Sequence, residues 1–322
     1  MPMELFIWII VFLVSLAVMV KGADWFLESA EKIGLAMGLS SFIVGVTIVG
    51  LGTSFPELIS AIIAVFKDAS EIVAANAIGS NIANILLVIG VSALVGKKLV
   101  ITKSLIDLDI PLLAISTALV AGIVWDGEVV LAESILLVVT YGIYFLYTLL
   151  YKDDGNGVPE ELTGKEPIPD RAQRRRLERQ KREKGEKRPK LSTKDFVLLF
   201  VGVIGLVAGS KYLIDSVIKL SELFDIGTGV IALAAVAVGT SLPELLVSAK
   251  AAWNGRSEVA LGNIFGSNIF NILAVIGIPG LFGTLLLDVP TLTLGLPVLL
   301  AATFLFIISG ISRRIHIWEG AM

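Results

Sequence analysis

Two short stretches carry the side chains that could do chemistry: GTSFPEL at 52–58 and GTSLPEL at 239–245. Each puts a proline and a glutamate inside a long apolar run. Thr53 and Glu57 are four residues apart and Ser54 and Glu57 three, so on a helix their oxygens share one face. Ser80 and Asn84, also four apart, share a face further along. Thr240, Ser241, Glu244, Ser267 and Asn271 repeat the set. Pro56 and Pro243 have no N–H to offer the carbonyls of Gly52 and Gly239, so each helix is expected to kink or break there. In lipid, carbonyls freed in this way must be satisfied by protein, water or an ion. The converged set would offer two carboxylates, several hydroxyls, two amide oxygens and freed carbonyls. A donor set of oxygens alone suits a hard cation. Calcium takes about 6–8 oxygens, whereas magnesium holds its waters in a strict octahedron, so calcium fits better. A glutamate at the centre of a spanning helix costs roughly 2.5–3.5 kcal/mol on insertion scales. A protonated, hydrogen-bonded glutamate pair is the structural alternative, but it leaves the duplicated Thr, Ser and Asn unexplained.

The elements that must position these groups are membrane spans. The chain has 322 residues, 55% hydrophobic and 17% charged, with a mean hydropathy of +0.86, which places it with polytopic all-α membrane proteins. Spans need about 20 apolar residues, and nine candidates appear: 5–29, 41–66, 71–95, 106–124, 128–151, 195–220, 228–252, 257–282 and 286–310. The start, MPMELFIW, has no basic region and no small-residue cleavage site follows, so it reads as the first span and not a signal peptide. Residues 152–193 are rich in Gly, Pro and charge and include RAQRRRLERQKREKGEKRPK, a solvated basic linker. The positive-inside rule explains that run without nucleic acid and puts the linker in the cytoplasm. Alternating spans then place Lys97, Lys98, Lys103, Lys250, Arg256, Arg313 and Arg314 on the same side. Asp68, Glu71, Asp126, Glu128 and Asp288 fall outside with the N-terminus, with Lys67 as an exception. There is no cysteine, and the one histidine, His316, sits in a polar tail, so thiolate chemistry and a histidine zinc site are not expected. Lys21 with Asp24 and Lys211 with Asp215 read as local ion pairs. Asp107, Asp109 and Glu133 read as span-end residues without function.

A shift of 187 residues lays Gly22 on Gly209, GTSFPEL on GTSLPEL, and NAIGSNIANILLVIG at 76–90 on NIFGSNIFNILAVIG at 263–277. A constant offset over roughly 70 residues is a duplication. Five spans precede the linker, so the second copy enters the membrane from the opposite side. Residues 1–151 form the first inverted repeat (spans 1–5), 152–193 the linker, and 194–322 the second repeat (spans 6–9). Inverted repeats of this kind place a transported substrate at the midplane between the copies.

G-T-S-x-P-E followed by G-S-N-x-x-N in both halves resembles the paired alpha-repeats of the cation/calcium exchanger superfamily, nearest to prokaryotic sodium/calcium exchangers. The resemblance covers the chain to about residue 310. It implies ten helices in two inverted five-helix halves with broken helices at the centre, Glu57 and Glu244 as central calcium ligands shared with sodium, and sodium sites using Thr53, Ser54, Thr240 and Ser241. It also implies that Ser80, Asn84, Ser267 and Asn271 line the cavity and that Gly50 and Ala237 give backbone carbonyls. Two departures matter. Some relatives carry Asp at one of the Asn84 and Asn271 positions, which bears on sodium stoichiometry or proton sensitivity. Proton-coupled members more typically show G-N-x-x-E, which favours sodium here.

The expectation is a secondary antiporter of the plasma membrane, exchanging calcium for sodium by alternating access. Its partners are these ions and the bilayer, with no nucleic acid and no obligate protein partner evident. It needs no cofactor. The alternative is proton/calcium exchange at the same glutamates. A channel is disfavoured because filters are commonly built from rings of subunits. An enzyme is disfavoured because no Asp pair, Ser/His pair or HExxH stands in the spans. After the ninth span comes the turn SRRIHIWEGAM with no further apolar run. The tenth helix of the family is therefore expected to be missing, by truncation in preference to a natural nine-span design.

Overall fold

The computed structural model describes residues 2–96, 98–100, 109–150, 189–223, 241–311 and 314–316. They form helices α1 Pro2–Met37, α2 Ser41–Phe66, α3 Glu71–Gly96, α4 Ile110–Ile123, α5 Leu131–Leu150, α6 Thr193–Leu223, α7 Leu242–Trp253 and α8 Ser257–Gly280, then a π turn, Thr291–Gly295, continued by α9 Leu296–Ile311. Among the described residues seven segments are long and apolar enough to cross a membrane, and Ile110–Asp126 is shorter. Most of the linker and the stretch 224–240 lie outside the described residues, and with them Thr240 and Ala237.

Helix boundaries follow local chemistry. α1 has 36 residues, about 54 Å at 1.5 Å each, and outruns the expected span. Hydropathy falls after residue 29, but Ser-Ala-Glu-Lys-Ile-Gly-Leu-Ala-Met still holds many strong helix formers. The helix stops at Gly38, whose φ is +83°. There the Gly38 and Leu39 N–H groups donate to Leu35 O (3.0 Å) and Gly34 O (2.9 Å), a Schellman turn. α6 opens with a capping box: the Asp195 carboxylate accepts from the Ser192 N–H at 2.8 Å. α2 and α7 end in matching turns 187 residues apart, with Asp68 (φ +55°) in one and Gly255 (φ +74°) in the other.

α8 is buried from Val259 to Gly280 apart from the half-buried Ile278, and forms the centre. A helix that is apolar on most of its surface wants burial on most sides, and the polar residues Asn263, Ser267, Asn268 and Asn271 are buried with the rest. α2 crosses it at backbone contact, and α3 and α7 flank it. α1 and α6 pack together through glycines. A Cβ at Gly22 would stand 2.9 Å from Gly202 O and 3.0 Å from Leu206 N. One at Gly209 would stand 3.0 Å from both Ser15 O and Met19 N. Gly202 and Ser15, and Leu206 and Met19, are themselves 187 apart, so the contact is reciprocal.

Two short antiparallel ladders close the ends. β1 Lys98–Val100 pairs with β4 Arg314–His316, and β2 Glu128–Val129 pairs with β3 Leu285–Leu286. The segment at 314–316, expected as a polar tail, is thus strand. Ser70 Oγ accepts from the Leu286 N–H at 3.2 Å beside the second ladder.

Two expectations are corrected. The helix is not interrupted at Pro56, because Gly50–Phe66 is continuous and the irregular stretch lies upstream, in the π turn Gly45–Val49. The local ion pairs are not formed. Asp24 instead binds Lys250 on α7 at 2.9 Å, while Lys21 and Lys211 lie 5.6 and 5.7 Å from the rings of Trp25 and Tyr212. Helix packing offers Asp24 a better-placed cation than its own turn does. Asp109 stands at a span end as read, the residue before α4, and is buried there.

Candidate cation site

The site is built where α2, α3, α7 and α8 meet. On α2, Thr53, Ser54 and Glu57 are all buried, as one helical face requires. The π turn Gly45–Val49 directly precedes this segment, and such turns recur at functional positions. On α7, Pro243 occupies the first turn, where a missing N–H costs no bond within the helix. Ser241 and Glu244 flank it and are buried. Ser80 and Asn84 on α3 and Ser267 and Asn271 on α8 are buried too. Both asparagines open π turns, Asn84–Val88 and Asn271–Val275.

Glycines permit the approach. A Cβ on Gly50 would meet Gly266 Cα and Ser267 N, both at 3.2 Å. One on Gly266 would overlap the Val46 backbone, reaching its Cα at 2.8 Å. At that distance hydrogen bonds cross the two halves. Ser54 Oγ donates to Glu244 Oε1 at 2.8 Å. Thr53 Oγ1 donates to Asn263 Oδ1 at 3.1 Å and lies 3.4 Å from Ser267 Oγ. Ser267 Oγ donates to Gly50 O at 3.4 Å.

Other buried polar atoms have no hydrogen-bond partner among the described residues. They include both carboxylate oxygens of Glu57, Oε2 of Glu244, Oγ of Ser241, and the side-chain amides of Asn84 and Asn271. Buried polar groups are normally paired, since an orphan costs about 1–3 kcal/mol. Isolated orphans occur elsewhere, at the hydroxyls of Ser92, Thr117, Ser134, Tyr144 and Thr303, but the carboxylates and amides named here belong to residues singled out by the repeated motif. The two glutamates are also near enough to repel one another. Two negative charges with neutral oxygens around them match a divalent ion, or monovalent ions in its place. Among the described residues no group of three or more His, Cys, Asp and Glu could hold a metal, so any cation here would depend on hydroxyl, amide and carbonyl oxygens.

Sequence reasoning missed four buried polar residues around this cluster: Asn81, Ser248, Asn263 and Asn268. Asn81 donates to the backbone carbonyl of Asn268, its own equivalent 187 residues on, at 2.9 Å. Asn263 donates to Ser248 Oγ at 2.7 Å. The signal was present, because three of the four lie within the aligned NAIGSN and NIFGSN stretches. An asparagine in an apolar helix demands a partner in the same way as a glutamate.

A family profile for sodium/calcium exchanger protein matches residues 7–150 and 194–322. The chain belongs to the sodium/calcium exchanger family. The sodium/calcium exchanger MaX1 of Methanosarcina acetivorans is 33% identical, over 97% of this chain and 94% of its own length. The putative antiporter CaxA of Alkalimonas amylolytica is 32% identical, over 96% and 93%. A solved structure of the sodium–calcium exchanger NCX_Mj, soaked with zero Na+ and Ca2+, superposes with a TM-score of 0.77 at 28% identity, covering 98% of this chain and 95% of that one. This exchanger is therefore an integral membrane transporter of the antiporter class, not an enzyme.

Proposed function

We propose that this exchanger moves calcium against sodium across the plasma membrane by alternating access, with Glu57 and Glu244 as the shared carboxylate ligands. The carrying observation is that three of their four buried carboxylate oxygens lack a partner, beside equally unpartnered Asn84, Asn271 and Ser241 side chains. Thr53, Ser54, Ser80, Ser267 and the Gly50 carbonyl complete the oxygen set, with Thr240 and the Ala237 carbonyl as the remaining members. A calcium ion or a few sodium ions neutralise the pair in turn. Without a cation, two buried like charges resist closure into a dry state, so only loaded forms interconvert.

The two halves, 1–151 and 194–322, are inverted repeats. The reciprocal packing of Gly22 and Gly209 and the Asn81–Asn268 bond between equivalent residues support a two-fold relation. The linker lies in the cytoplasm and the N-terminus outside. Loops assigned to one side pair with each other: Lys98–Val100 with Arg314–His316, and Glu128–Val129 with Leu285–Leu286. The G-T-S-x-P-E motif, in place of the G-N-x-x-E of proton-coupled members, supports sodium as the counter-ion.

The test is calcium uptake into proteoliposomes, driven in turn by sodium, potassium and proton gradients. An outward sodium gradient should drive uptake and a pH gradient alone should not. Full uptake driven by protons in the absence of sodium replaces this reading with proton/calcium exchange at the same glutamates.

A further inference from the structure

Asn263 sits outside the proposed ligand set, yet it contacts three residues of the site region. Its Nδ2 donates to Ser248 Oγ at 2.7 Å and to the backbone carbonyl of Glu244 at 3.4 Å. Its Oδ1 accepts from Thr53 Oγ1 at 3.1 Å. A backbone carbonyl can only accept, so the amide nitrogen must be the atom that faces Glu244 O, and the orientation of the side chain is decided. The amide oxygen is thereby held toward Thr53.

That orientation matters for cation binding. A hydroxyl has one proton and two lone pairs. It can ligate a cation only when the proton points elsewhere. Thr53 has three acceptors within reach, Asn263 Oδ1 at 3.1 Å, Gly50 O at 3.3 Å and Ser267 Oγ at 3.4 Å, and Asn263 is the nearest. If the proton went to Gly50, it would take the second lone pair of a carbonyl that already accepts from Ser267 and that a cation needs. Asn263 takes the proton instead, which leaves the lone pairs of Thr53 and one lone pair of the Gly50 carbonyl available.

We infer that Asn263, locked by Ser248 and the Glu244 carbonyl, is a positioning residue that turns the Thr53 hydroxyl proton away from the cation. This inference rests on the cation-site reading above. The lock is confined to one half: the position equivalent to Ser248 is Ala61, which has no hydroxyl. The two halves of the site are therefore chemically unequal despite their shared motif.

The test is a double-mutant cycle on the full chain with Asn263→Ala, Thr53→Val and the pair. Half-saturating sodium and calcium are read from the cation-dependent rise in Tm of the purified protein, and turnover is measured in proteoliposomes. One neutral hydrogen bond corresponds to about a two- to tenfold change in half-saturating concentration. Asn263→Ala should raise half-saturating sodium by that factor. In the Thr53→Val background it should add less than about twofold, because the proton it controls is gone. Ser248→Ala, which loosens the lock without touching Thr53 or Asn263, should give a smaller rise that also vanishes in Thr53→Val. It keeps the test open should Asn263→Ala fail to fold. Fold-changes that simply multiply in the double mutants, or an unchanged half-saturation in Asn263→Ala, overturn the inference. The binding readout holds whether or not sodium drives transport, so failure of the exchange reading and failure of this one are distinguishable. If the unsubstituted protein shows no cation-dependent rise in Tm, both readings fall.

Discussion

Substituting Gly266 with alanine tests whether close backbone approach holds the site together. The added Cβ would overlap Val46 O and stand 2.8 Å from Val46 Cα and 2.9 Å from Val46 C. Carbon atoms are comfortable at about 3.5–4.0 Å, so α2 and α8 must part by roughly 0.7–1 Å. Backbone cannot step aside as a side chain can. The Thr53–Asn263 bond at 3.1 Å and the Ser267–Gly50 bond at 3.4 Å would then stretch to about 4 Å, beyond hydrogen-bonding range. Overpacking costs about 1–3 kcal/mol of stability. The two lost bonds, at about 0.5–1.5 kcal/mol each, amount to roughly 5–150-fold in half-saturating calcium. The assay is calcium uptake into proteoliposomes over a calcium titration, with Tm measured in parallel. Gly122→Ala is the control, since no described atom lies within 4 Å of its Cβ position, and it should stay within twofold. If Gly266→Ala also binds calcium within twofold and keeps its Tm, the close approach does not position the site and the reasoning is wrong.

Glu57→Gln and Glu244→Gln should each abolish calcium transport, because each removes half the charge that balances a divalent ion. Near-normal flux in both would move the site elsewhere. Glu133→Gln should transport normally and lose no more than about 1 kcal/mol of stability, since Glu133 only accepts from the Val130 N–H at the start of α5, at 2.9 Å. Asp68→Gly should raise stability by about 0.5–1 kcal/mol, read as a higher Tm, because Asp68 holds a left-handed conformation at a position where glycine is preferred. Arg256→Gln breaks the 2.6 Å pair with Glu31. As that pair is partly exposed, the expected loss is about 0.2–1 kcal/mol, shrinking further in high salt.

The chemistry of the candidate site was legible from residues 52–58, 76–90, 239–245 and 263–277 alone. Polar groups in apolar helices are costly wherever they sit, and a constant offset of 187 needs no structure to be seen. The places of the long helices were legible for the same local reason, since a span is a matter of length and hydropathy. Partnership was not legible. Glu57 and Glu244 stand in near-identical motifs, yet Ser54 reaches Glu244 while Ser241 finds no partner among the described residues. Pro56 and Pro243 read alike, yet one sits inside a continuous helix and the other in a first turn. Asp24 had Lys21 one turn away and took Lys250 from another helix. Each of these outcomes depends on ångström-scale distances between helices. Those distances are set by how closely backbones meet at Gly45, Gly50, Gly262 and Gly266, and a hydrogen bond that exists at 3 Å is gone at 4 Å. Residue type and spacing state what a side chain needs, and only the packed helices decide which neighbour supplies it.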